Sequence, residues 1–178
     1  ESDRQDEVRD VLEAGGVTVL DGTCTVIEGV GFAGVRGFAG GFGRWALSAW
    51  GEASIKTFVQ EAVDEALRLD AALGRLQSEH SVDALVAVMH YSPIRDTVVG
   101  EPEEIFPFMG SSRLEEPLNR YGVTVVCHGH AHHGALEGRT MAGVPVYNVA
   151  MPLLRRLYPG RPPIRIFDVP SVPAAAEV

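Results

Sequence analysis

The chain has 178 residues and a mass of 19.1 kDa, enough for one domain with its own core or for part of a larger domain. A hydrophobic fraction of 46% with 22% charged residues is globular and argues against disorder, while a formal charge of −9 disfavours affinity for nucleic acid backbones. No run of 18 apolar residues spans a membrane and no secretory signal is visible, so the expected location is the cytoplasm, with Cys24 and Cys127 as reduced thiols.

The chain opens at Glu1 and its first methionine is Met89, which predicts a portion of a longer product. Ser2 followed by Gln5 fits a capping box, and Val8, Val11 and Leu12 before Gly15-Gly16 predict a short helix. The apolar runs Val17–Leu20 and Thr23–Glu28, split by Asp21-Gly22, predict a β-hairpin, with a further strand at Val30–Val35. Six glycines between Gly31 and Gly43 predict a long surface loop.

Ile55, Phe58, Ala62, Ala66, Leu69, Leu73 and Leu76 recur at helical steps and predict a helix over 54–78, with Glu61, Asp64, Glu65 and Arg68 off its apolar stripe. Asp83–Met89 predicts a buried strand ending at His90, followed by a proline-containing loop and a short helix over Ser112–Arg120. Val123–Cys127 predicts a second buried strand, which runs into His128-Gly129-His130-Ala131-His132-His133. Further strands are predicted at Val144–Val149 and Ile164–Val169, and residues 171–178 as a frayed tail.

Alternating strands and helices imply an α/β arrangement, in which ligands collect at the carboxyl ends of strands. Five of the six histidines fall at such ends, and His80 is expected on the surface. Neutral imidazole is a common ligand of zinc, iron, nickel and copper. His130 and His132, one residue apart, point the same way in an extended backbone, and Gly129 permits the turn that brings them toward His90. These three are the candidate metal ligands. Tyr91, Ser92, His128 and His133 are candidates to support those ligands or line a substrate site.

Gly129-His130-Ala131-His132 after an apolar strand resembles the G-H-x-H motif of calcineurin-like metallophosphoesterases. Met89-His90-Tyr91-Ser92-Pro93 is similar to the strand-then-His motif that precedes it in that family, and the likeness extends from the first hairpin to Val169. The resemblance implies part of a four-layer α/β/β/α sandwich, with residues 1–170 as the C-terminal portion of one domain. It also implies two divalent ions, manganese, iron or zinc, held about 3.5–4 Å apart and supplying a hydroxide that attacks a small phosphoester, mono- or diester. By motif position His90 and His130 would bind one ion and His132 the other.

The family's upstream Asp-x-His, Gly-Asp-x-x-Asp and Gly-Asn-His motifs do not occur in the chain, so no catalytic residue is assigned within it. A preceding segment, or a partner chain, would supply them together with the central strands. Asp96, Glu101, Glu103 and Glu104 read as a solvated acidic loop, and Arg113 and Asn119 as surface or capping residues. The glycine-rich stretch lacks the ending of a phosphate loop. Two other readings stand beside the hydrolase: a non-catalytic metal-binding or complementing interaction fragment, and a single-metal hydrolase held by His90, His130 and His132.

Overall fold

The computed structural model describes residues 4–169. Among them, six strands form one mixed sheet in an α/β fold, in the order β1 (Thr23–Ile27), β2 (Val30–Val35), β3 (Ala84–Met89), β4 (Val125–His128), β6 (Pro145–Asn148) and β5 (Glu137–Arg139). The four central strands are parallel, and the two edge strands are antiparallel to their neighbours. Helix α1 (Gln5–Ala14) precedes the sheet, and α2 (Ala53–Glu79) crosses from β2 to β3. The short helices α3 (Phe106–Met109) and α4 (Glu115–Arg120) connect β3 to β4, and α5 (Met151–Leu157) follows β6. The loop expected after His90 therefore contains α3 and several single helical turns.

The hairpin forms one turn later than the sequence predicts. Val17–Leu20 is not a strand, and the tight turn is Glu28-Gly29, with φ of 49° and 79°. Two consecutive positive φ values give the turn that matches the twist of a two-residue hairpin. Leu20 instead lies over the sheet, where a Cβ on Gly34 would meet its side chain at 2.6 Å. The glycine-rich stretch is likewise not a surface loop: Gly31–Val35 is strand β2, and most of Gly37–Phe42 is buried. Ile164–Val169 is irregular rather than a strand. Pro162 and Pro163 supply no N–H to a ladder, and the segment is held by side chains instead. There Arg165 stacks 3.6 Å over the ring of Tyr147, and Phe167 packs against the same ring. Ser2, the expected cap of α1, and the tail 171–178 lie outside the described residues.

One face of the sheet carries the main core. Leu69, Leu73 and Leu76 of α2 and Leu114 and Leu118 around α4 pack on Ala33, Val35, Ala87, Met89, Val126 and Val146. Glu65, read from sequence as off the apolar stripe, is buried on this helix.

The other face is covered unevenly: Ala84, Val86 and Val125 are buried on it, while the next row toward the carboxyl ends of the strands is partly open. The registers align Gly34, Val88, Cys127 and Tyr147 in one row across it. Leu20 sits over the first and Phe167 over the last. Between them Val88, on a central parallel strand, is 40% exposed, and Ile27 on the same face is 54% exposed. Parallel strands are ordinarily buried on both faces. Both cysteines are free and partly buried. No helix among the described residues is long and apolar enough to cross a membrane.

Candidate active site

The parallel pairing of β3 with β4 sets Met89 beside His128, so the residues that follow each strand meet at the same end of the sheet. The Gly129 N–H donates to the His90 carbonyl at 3.1 Å, fastening one loop to the other. The next residue, His130, has a φ of 66°, a left-handed conformation that costs a non-glycine residue about 1–3 kcal/mol. That turn brings its imidazole to 4.7 Å from the His90 ring, centroid to centroid. The Tyr91 ring lies 4.5 Å from His130 and 5.3 Å from His90. His130 Nε2 is 3.2 Å from the Phe108 carbonyl, which can only accept, so this bond places the proton on Nε2.

Behind this turn lies a buried polar network. His128 and Ser92 are fully buried, and His128 Nδ1–H donates to the Gly129 carbonyl at 2.8 Å. Its Nε2 lies 2.8 Å from Thr97 Oγ1, and Thr97 Oγ1 lies 2.8 Å from Ser92 Oγ. Burial, reinforced by the charges of His130 and His90, holds the His128 pKa down to about 4 against the pull of the Gly129 bond. The imidazole is therefore neutral at physiological pH, and the Thr97 hydroxyl donates to Nε2. His128 and Ser92 support the turn from the core side rather than line its open side.

The remaining motif histidines lie elsewhere on the loop. His132 and His133 are exposed. The Arg156 guanidinium holds their stretch by donating to the His132 carbonyl at 2.8 Å and to His133 Nδ1 at 3.2 Å. The His133 N–H donates to Glu101 at 2.7 Å, which gives one member of the acidic loop a structural partner. His80 is exposed, as expected. Among the described residues no group of three or more His, Cys, Asp or Glu side chains is placed to hold a metal ion. His90 and His130 lie ring to ring, and among the described residues no third such side chain joins them.

Several contributors carried no signal in the sequence. Asn148, fully buried at the end of β6, donates to the Ala131 carbonyl at 2.7 Å and accepts from the Ala150 N–H at 3.1 Å, clamping the histidine loop to the next strand. Its position at a third strand end was the available clue. Glu65 accepts the Gly37 N–H at 2.7 Å, and the His90 and Tyr91 N–H groups both donate to the neighbouring Arg36 carbonyl. Helix α2 thus fixes the loop on which His90 rests. A cleft of about 910 Å³ opens beside His90 and Tyr91, with Arg9, Arg36 and Arg68 along it. Each of these arginines is paired with a carboxylate among Asp21, Glu61 and Glu65.

No family model, curated protein or solved structure matches the chain.

Proposed function

We propose that this chain carries part of the site of a metal-dependent phosphoester hydrolase of the calcineurin-like type, acting on a small mono- or diester. The observation that carries the reading is the contact of two imidazoles, His90 and His130, delivered by adjacent parallel strands with their ring centroids 4.7 Å apart. Two divalent ions, manganese, iron or zinc, would supply a hydroxide and polarise the phosphoryl oxygen. His90 and His130 would hold one ion, and His132 would reach a second after its exposed loop rearranges. His128, Thr97 and Asn148 support the left-handed turn, which would keep the His130 ring beside His90 before any ligand arrives.

The remaining ligands would come from a preceding segment or a partner chain. That segment would also bring a second sheet onto the open face at Val88 and Ile27, giving the four-layer sandwich. A second reading, a non-catalytic metal-binding or complementing fragment, is favoured by one observation: the described residues bring no third donor to the pair.

The test is hydrolysis of p-nitrophenyl phosphate and bis-p-nitrophenyl phosphate by the full-length product purified with Mn²⁺. His90→Ala and His130→Ala each lower kcat at least about 100-fold, the scale of losing a metal's contribution to the reaction. Full activity in either variant would overturn the hydrolase reading. Metal bound with no turnover in the wild type would favour the second.

A further inference from the structure

Beside the imidazole pair, four more aromatic rings complete a circuit. From His130 it passes to Tyr91 at 4.5 Å, to Phe38 at 5.9 Å, to Phe58 at 5.0 Å and to Phe108 at 6.2 Å. It closes where the Phe108 carbonyl accepts from His130. The rings come from four separate segments: the loop after β3, the loop after β2, the first half of α2, and α3. None of the four belongs to either hydrophobic core cluster. Phe108 is 55% exposed, and Phe38, Phe58 and Tyr91 are half-buried.

Aromatic side chains bring the largest apolar areas a chain can bury, and leaving four together at a surface forgoes that burial. Such a cluster at the edge of a polar site is the arrangement that takes a flat ring. A cation stands with it, for the Arg36 guanidinium lies 5.1 Å over the ring of Phe38. Arg36 is itself paired with Glu61 and Glu65, so what the wall adds beside the two imidazoles is aromatic surface rather than charge, and it suits the π-rich part of a ligand.

Resting on the phosphoester reading, we propose that the substrate carries a flat, π-rich substituent on its phosphoryl group, seated against Phe38, Phe58, Tyr91 and Phe108. The aromatic edges supply stacking that a saturated ring of similar size cannot match.

Calorimetric binding of phenylphosphonate and cyclohexylphosphonate to the full-length Mn²⁺-loaded product tests this without depending on turnover. The two ligands share charge and bulk and differ in planarity. Phenylphosphonate binds about three- to tenfold more tightly in the wild type. Phe108→Leu and Phe58→Leu, which keep apolar bulk and remove a flat ring, each reduce that ratio toward one. A parallel pair, adenosine 5′-monophosphate against ribose 5-phosphate, tells a nucleobase from a simple aryl group, and a preference in either pair supports the proposal.

Equal affinities within both pairs, or a preference that survives both substitutions, would overturn it. Hydrolysis without any aromatic preference removes this inference and leaves the hydrolase reading intact. An aromatic preference without hydrolysis does the reverse.

Discussion

At the scale of single residues, the candidate site depends on a histidine that does not face it. His128 lies between the Gly129 carbonyl and the Thr97 hydroxyl, fully buried and neutral. In the unfolded chain it titrates near its ordinary value of about 6.5, and in the fold its pKa is held down to about 4. Between those values the unfolded chain binds a proton that the folded chain does not. The contribution of His128 is therefore complete above pH 6.5 and is lost as the pH falls toward 4, at up to about 1.4 kcal/mol per pH unit. Urea unfolding at pH 7 and pH 5 reads this directly. The wild type is expected to lose roughly 1–2 kcal/mol more between the two than His128→Gln, because other titrating groups cancel in the comparison. Equal losses would mean that His128 takes up its proton inside the fold. The sequence marked the motif histidines but did not sort them. A histidine at a strand end looks the same whether its ring turns to the core, as in His128, to its neighbour, as in His130, or to solvent, as in His132. That choice is made by parity along β4 and by the left-handed backbone at His130, neither visible from residue type.

At the scale of elements, apolar periodicity revealed α2, β3, β4 and β6, because each buries a regular stripe or run. It failed where geometry rather than hydrophobicity decides. Asp21-Gly22 has strong turn chemistry, yet the hairpin closes at Glu28-Gly29, where both residues adopt positive φ and the flanking strands keep their register. Strand β5 is only three residues long and has no buried residue, so it leaves no pattern to read. Glu65 shows the same limit from the other side. A carboxylate reads as a solvent-facing residue, yet this one is only 2% exposed and bonds the Gly37 N–H and the Arg68 guanidinium at 2.7 Å each. It thereby ties α2 to the loop whose Arg36 carbonyl receives the His90 and Tyr91 N–H groups. Glu65→Ala leaves the Gly37 donor unmet inside the fold and is expected to cost about 2–3 kcal/mol in urea unfolding. Glu65→Gln, whose amide oxygen still accepts from Gly37, is expected to cost less. An alanine variant as stable as the wild type would show that the loop holds its shape without α2.

At the scale of the whole molecule, the asymmetry of the sheet is the feature that most needs a physical account. One face is sealed by leucines of α2 and α4, while the centre of the other leaves Val88 exposed between two parallel neighbours. Water on that row forfeits hydrophobic stabilisation of about 25 cal/mol for each Å² left uncovered. The proposed second sheet would recover it, and a charge placed there separates a covered face from an open one. In the 178-residue chain the Asp of Val88→Asp can still reach solvent, and the substitution is expected to cost about 1 kcal/mol, the scale of replacing a partly exposed strand valine by a poor strand former. In a longer product whose additional strands pack on this face, the same carboxylate is buried without a partner and is expected to cost about 3 kcal/mol or more. The paired measurement is decisive because the substitution, its β-propensity and its effect on the unfolded chain are common to both proteins. A difference of 2 kcal/mol or more places a layer over Val88. Equal, small effects in both would show that the face stays open to solvent, and the four-layer architecture would have to be abandoned.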